Sequence, residues 1–188
     1  MKRSTIPVNR GWAYAPAWKA EWAARPIGSE EGAAAGAAAV DFPHANIELP
    51  FNDFDEKAYQ FVSCYQKRIA VPPLPPEGGR VYLDFEGAAS CAELFVEGRR
   101  VASHECGYTP FSADLSPWAG REVLASVRLD STERPDVPPF GNVIDYLTYG
   151  GIYREAALRV VPAVFLANVF PRPRWDAQRG RAALEATA

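Results

Sequence analysis

The 188-residue sequence predicts an all-β sandwich or jelly roll. Three observations carry that expectation. From Tyr59 onward, apolar and polar residues alternate in several short runs, the period of half-buried strands. Turn residues recur between those runs at regular spacing. Seventeen prolines and fourteen glycines are spread along the chain, and proline inside a helix breaks it, so long helices are disfavoured.

Residues Met1 to Ala24 hold Trp12, Tyr14, Trp18 and Trp22 and read as an irregular opening segment packed over a sheet. Glu30 to Val40 is mostly alanine and glycine; it reads as a short helix or a small-residue loop, with Gly36 weighing against the helix. Phe61 to Ile69 reads as a strand, and the prolines at 72, 73, 75 and 76 with Gly78-Gly79 break it off. In Arg80 to Gly87, Val81, Leu83 and Phe85 point one way and Tyr82, Asp84 and Glu86 the other. Cys91 to Val96 is a further strand, which Glu97-Gly98 turns tightly into Arg99 to His104. Arg121 to Asp130 places Val123, Ala125, Val127 and Leu129 on one face. Ile152 to Val161 and Ala163 to Phe170 complete the strand set. Nothing in the order suggests βαβ units, a glycine-rich loop opening a helix, or an internal repeat.

The composition narrows the function classes. A net charge of −3 gives no electrostatic pull toward nucleic acid or anionic lipid, and no partner of either kind is expected. No apolar run approaches the roughly 20 residues that span a bilayer. No apolar stretch follows Met1-Lys2-Arg3, so no signal peptide is expected, and Cys64, Cys91 and Cys106 read as three reduced thiols. Together these point to a cytoplasmic location. His44 and His104 are far apart and lack other ligands at metal-binding spacing; no metal and no cofactor is expected.

Three stretches, in order, resemble the N-terminal domain of family 2 glycoside hydrolases, the group of β-galactosidases and β-glucuronidases. Phe42-Pro43-His44, followed by an acidic loop and Ser63 to Arg68, resembles the family's Leu-Pro-His segment and Trp-Tyr-x-(Arg/Lys) strand, with Cys64 in place of tryptophan. Phe95-Val96-Glu97-Gly98, then Gly107-Tyr108-Thr109-Pro110-Phe111 and Asp114, resembles a strand, Asn-Gly turn and Gly-Gly-Tyr-x-Pro-Phe pattern. Here Glu97 stands for the asparagine and Cys106 for the first glycine. Most specific is Asp145-Tyr146-Leu147-Thr148-Tyr149-Gly150-Gly151-Ile152-Tyr153-Arg154, which resembles the Asp-(four residues)-(Ser/Ala/Gly)-Gly-Ile-(aromatic/His)-Arg signature.

The resemblance implies a jelly-roll β-sandwich of the galactose-binding-domain kind over residues 1–163. Residues 164–188 would then begin an immunoglobulin-like sandwich, and the sequence would be one piece of a longer polypeptide. It also implies that Asp145 reaches into the active site of a catalytic barrel and accepts hydrogen bonds from hydroxyls of a terminal β-linked sugar. An acceptor-only carboxylate suits that task; the alternative is a loop aspartate capping a turn. Asn52 and Asp53 lie in a loop that approaches the same subsite in relatives, although an Asx turn is the plainer reading. Tyr146 and Tyr149 either line the sugar site or divide between core and surface. Gly150-Gly151 read as backbone necessities, and Arg154 as structural.

The two carboxylates of a retaining glycosidase belong to the barrel in this family, and no βα units occur here. The expected function is therefore that of an accessory sugar-binding domain, inactive alone, whose partners are carbohydrate and its own immunoglobulin-like and barrel domains. A free-standing carbohydrate-binding module and a purely structural buttress are the alternatives. The surface meeting the barrel should be rich in exposed apolar residues. The strand near Arg181 to Ala188 should lack order or pair with a neighbouring chain.

Overall fold

The computed structural model describes residues 3–28, 38–52, 55, 57–138, 140–141 and 148–187. Twelve strands occur among them: β1 (Ser4–Pro7), β2 (Trp12–Ala15), β3 (Ala38–Val40), β4 (Val62–Ala70), β5 (Gly79–Phe85), β6 (Cys91–Val96), β7 (Arg99–Glu105), β8 (Phe111–Asp114), β9 (Glu122–Asp130), β10 (Ala156–Pro162), β11 (Phe170–Asp176) and β12 (Arg181–Thr187). They form a four-stranded sheet in the order β1-β10-β5-β8 and a six-stranded sheet in the order β3-β2-β4-β9-β6-β7. A separate ribbon pairs β11 with β12. Every pairing is antiparallel. The all-β jelly-roll sandwich expected from the periodicity is the fold observed.

Alternation decides how the sheets meet. On β5, Val81, Leu83 and Phe85 are fully buried, and register places Leu158 and Val160 of β10 beside Leu83 and Val81. On β9, Val123, Ala125, Val127 and Leu129 are fully buried, and Ala92, Leu94 and Val96 of β6 stand opposite the last three. Burying both inner faces is the main driving force, at about 25 cal/mol per Å² of apolar surface. Phe85 stacks on Phe111 of its own sheet at 5.0 Å and bridges the layers by meeting Trp12 edge-on at 6.0 Å.

The Glu97-Gly98 hairpin forms as expected, with φ of 49° and 81°, the left-handed pair that a two-residue turn needs. Glu97 adds an interaction that asparagine would be too short to make in the same way: its Oε1 accepts from the Leu124 amide at 2.6 Å.

Several boundaries differ from the sequence reading. The opening segment is not wholly irregular: β1 joins the four-stranded sheet against β10, and β2 joins the other sheet against β4. Both have only four residues, and their partners lie far along the chain, so local alternation carries little signal. The remainder of the segment does pack over a sheet. Trp22 and Ala15 cover Cys64 on the outer face of β4, where burial pushes the Cys64 thiol up. Residues 29–37 of the alanine-rich stretch lie outside the described residues, while Ala38–Val40 is the edge strand β3. Phe111–Asp114, for which the sequence reading gives no strand, is β8.

The run Ile152 to Val161 becomes regular only at Ala156, after a bend at Arg154. Residues 163–169 are not a strand; Phe165 turns back onto Tyr82 on the outer face of the four-stranded sheet, at 6.2 Å. The strand starts at Phe170, and β12 pairs with it in an ordered two-stranded ribbon. Opposite residues share a face, so one side of this ribbon carries Pro171, Pro173, Trp175, Ala182, Leu184 and Ala186, and the other is largely charged. All six apolar residues are exposed.

Gln66 is the buried polar hub of the six-stranded sheet. It donates to the carbonyls of Trp22 and Arg25 and to Ser126 Oγ, and its Oε1 accepts from the Ile27 amide at 2.6 Å. Gln66→Leu keeps the volume but leaves buried groups unpaired, at about 1–3 kcal/mol each. The expected outcome is a lower urea midpoint with an unchanged m-value, read by chemical denaturation.

Candidate functional site

The segments entering β4 and β6 and the segment leaving β9 emerge at one end of the sandwich, because Val62 and Cys91 both pair with Asp130. Of the five candidate residues, Asp145, Tyr146 and Asp53 lie outside the described residues. Asn52 is exposed in a bend of the entering loop, and Tyr149 is an exposed surface ring. The described residues that meet at this end belong to 42–52 and 57–60, 131–138 with 140–141, and 148–152.

The first tie is a close approach of backbones. His44 N donates to Ile152 O at 2.8 Å and Asn46 N to Gly150 O at 3.0 Å. On the far side, Ala89 N donates to Gly151 O at 3.0 Å. Gly151 has φ of +116°, and a Cβ there would lie 2.4 Å from His44 O. A Cβ on Gly150 would lie 2.3 Å from Asn46 Nδ2. The backbone role expected for both glycines is therefore a steric requirement.

The second tie is polar. Asn46, 5% exposed, donates through Nδ2 to Tyr59 O at 2.7 Å, and its own carbonyl accepts from the Tyr14 hydroxyl at 2.6 Å. Burial pushes the Tyr14 phenol up to about 12, so it stays a donor. Tyr59 is 3% exposed, and its hydroxyl meets both Glu133 Oε1 and Thr148 Oγ1, the latter at 2.7 Å. Thr148 Oγ1 also donates to Glu133 Oε1 at 3.1 Å, and Glu133 N donates to Gln60 Oε1 at 3.3 Å. Burial, reinforced by the Glu133 carboxylate, pushes the Tyr59 phenol up. Gln60, Glu133, Phe140 and Gly141 line a cavity of about 340 Å³ beside this group.

None of Asn46, Tyr59, Glu133 and Thr148 stands out in the sequence. Thr148 lies within the Asp145 signature, but no spacing links positions 59, 133 and 148. Arg154 is exposed; its guanidinium lies over the Tyr153 ring at 5.4 Å and reaches Tyr108 O at 3.4 Å, a structural placement. Both histidines are engaged by neighbours: His44 Nδ1 with the Tyr65 hydroxyl at 2.9 Å, and His104 Nε2 with Thr109 Oγ1 at 2.9 Å.

Two outcomes are expected from the glycine clamp and His44. Gly151→Ala combines a left-handed φ with a backbone collision and should lower stability by at least about 3 kcal/mol in denaturant titration. Burial holds the His44 pKa below its ordinary value, with Glu48 partly opposing. The unfolded chain thus protonates first. The His44 contribution is intact above the unfolded value and is lost as pH falls toward the lower folded one. Thermal melts between about pH 7.5 and about pH 5.5 should show this loss, and His44→Gln should flatten it.

The family model described as "Glycosyl hydrolases family 2, sugar binding domain" matches residues 36–162. The chain is 38% identical over 171 residues to a β-galactosidase of Thermoanaerobacterium thermosulfurigenes, covering 89% of this chain and 23% of that protein. A β-galactosidase of Rhizobium meliloti is 40% identical over 125 residues, 65% of this chain and 16% of that one. Among solved structures, the FMN-binding β-glucuronidase from Facaelibacterium prausnitzii L2-6 superposes with a TM-score of 0.76 at 25% identity, over 99% of this chain and 28% of that chain. The chain thus spans about a quarter or less of the length of the two β-galactosidases. With its sandwich, its signature stretches and this family match in agreement, the chain belongs to glycosyl hydrolase family 2, as the sugar-binding domain.

Proposed function

We propose that this domain lends Asp145 to a composite active site whose reacting carboxylates sit on a barrel elsewhere in the same polypeptide. The observation that carries the reading is the strapping of Gly150-Gly151-Ile152 onto His44 to Asn46, which joins two signature stretches at one end of the sandwich. In the sequence, Asp145 precedes Thr148 by three positions. In this reading its ionised carboxylate accepts hydrogen bonds from hydroxyls of a terminal β-galactosyl or β-glucuronyl sugar, while Asn52, Asp53, Tyr146 and Tyr149 flank the same subsite. Bond cleavage by the retaining mechanism falls to two glutamates outside this chain, and the domain alone is inactive.

Exposed apolar surface supports the partner domains. Phe51 is 96% exposed and Tyr149 61%, with Phe140 and Ile47 in the same set of loops, an arrangement suited to contact with the barrel. The apolar face of the β11–β12 ribbon supports residues 164–188 as the start of an immunoglobulin-like sandwich, since two strands cannot enclose a core of their own. Three free thiols support a cytoplasmic setting.

Asp145→Ala in the full-length protein should lower kcat/KM about a hundredfold, as expected when charge-assisted hydrogen bonds of about 1.5–3 kcal/mol are lost. Unchanged kinetics would leave the domain a buttress. The isolated 188-residue chain should show negligible sugar affinity by NMR titration, because one carboxylate and a few contacts leave little net binding after entropy. Firm binding would instead favour a free-standing module.

A further inference from the structure

Residues 163–169 cross from β10 to the β11–β12 ribbon, and little holds them to the sandwich. The chain bends at Ala163 and Val164 and again at Ala167. Among the described residues, none of the seven exchanges a backbone hydrogen bond with either sheet. The Asn168 side chain accepts from the Val169 amide, a contact within the segment itself. Val164 is 90% exposed and Leu166 66%, so both face solvent. A segment with a solvated backbone opens easily unless a side chain pins it.

One side chain does. Phe165, half-buried between those two, turns onto Tyr82, with ring centroids 6.2 Å apart and planes at 64°. In this edge-to-face arrangement the positive edge of one ring meets the negative face of the other.

The seat under Phe165 is built from three strands. Register places Tyr82 of β5 beside Arg159 of β10, and Asp84 of β5 beside Ser112 of β8. The Arg159 guanidinium lies over the Tyr82 ring at 4.6 Å. It donates to both Asp84 oxygens, at 2.5 and 2.9 Å, and reaches Ser112 Oγ at 3.5 Å. A guanidinium gripped at two nitrogens is fixed in plane and direction, and the ring it covers is confined with it. Both charged side chains are partly buried, so salt screens the pair little. None of these contacts involves residues 163–169, so the seat is complete before Phe165 arrives.

We propose that Tyr82, locked by Arg159 and Asp84, is a preformed seat for Phe165, and that this ring contact is a latch. Seated, residues 163–169 are a strap with a set exit direction. Released, they are a free tether between the sandwich and the ribbon. Release gives up one ring contact and its burial and leaves both sheets intact, so the two states are close in free energy. The latch is independent of the reading of Asp145, because its residues lie on the outer face of the four-stranded sheet and in the segment itself.

The test is hydrogen exchange of the 188-residue chain, read by mass spectrometry on peptides spanning 163–169, with β4 and β9 peptides as the folding control. Phe165→Ala should speed exchange of the strap roughly tenfold and leave the control peptides unchanged. Val164→Ala and Leu166→Ala, on the exposed side, should change nothing. Tyr82→Phe keeps the ring and should match the parent. Tyr82→Ala should match Phe165→Ala, and combining the two should add nothing further. Asp84→Asn loosens the grip on Arg159 and should give an intermediate rise. Should the 188-residue chain lose protection in β4 and β9, the same series is read in the full-length protein.

Equal exchange in the parent and Phe165→Ala overturns the latch: fast in both means the strap is never seated, slow in both means other contacts hold it. A rise from Val164→Ala or Leu166→Ala as large as that from Phe165→Ala also overturns it, since the segment would then be held by general apolar cover. A silent Asp84→Asn removes Asp84 from the seat. If Tyr82→Ala disturbs the control peptides, Phe165→Ala carries the test, because Phe165 lies outside both sheets.

Discussion

Phe42 is the constraint on which this end of the molecule depends. Its ring stacks on Trp12 at 4.7 Å, meets Tyr65 edge-on at 5.7 Å and lies 6.5 Å from Phe85. It therefore joins β2 and β4 of one sheet to β5 of the other, at about 0.5–1.5 kcal/mol per aromatic pair beyond simple burial. From this anchor the chain leaves at a set position, and two residues later His44 is wedged against Tyr14 and Tyr65. Asn46 comes next in the same run, and with it the contacts to Gly150 and Tyr59. The loop end is thus an extension of the core rather than an appendage to it.

The cost of that continuity is borne by particular atoms. Asn46 pairs its backbone N–H, its carbonyl and its Nδ2, yet its Oδ1 is buried without a partner among the described residues. An unpaired buried acceptor costs about 1–3 kcal/mol. The same packing requires φ of +116° at Gly151. Such compromises are tolerated where the surroundings over-determine a geometry, and they gather at functional ends of domains. Elsewhere in the sandwich, the Trp22 Nε1 over β4 is likewise buried without a partner among the described residues, and the β6–β7 register shifts between Leu94 and Phe95.

Buried side chains fill the space between the two sheets, so the open surface of the sandwich lies at its rims and outer faces. The exposed rings of Phe51 and Tyr149 and the polar group around Glu133 lie at one rim. Farther along the chain, Phe165 is seated on Tyr82, whose ring also lies under the Arg159 guanidinium at 4.6 Å, and Arg159 is paired in two-pronged fashion with Asp84. The exit from the sandwich is therefore attached to its outer face before the ribbon begins.

The fold class, most strands, the Glu97-Gly98 hairpin and the family are legible in the order of amino acids alone, because they depend on period-two alternation, local turn chemistry and contiguous signatures. Each is encoded within a window of about ten residues. The short strands β1 and β8 escaped notice because four residues give too little alternation, and their identity rests on partners elsewhere in the chain. Residues 163–169 misled for the opposite reason: they look apolar enough for a strand, but Phe165 finds a better contact on the outer face of the sandwich. Likewise, it took the folded chain to bring Tyr59, Glu133 and Thr148 together, since hydrogen bonds between positions 74 and 89 apart leave no periodic trace. Motif residues are legible one at a time; the frame that holds them is a property of the packed chain.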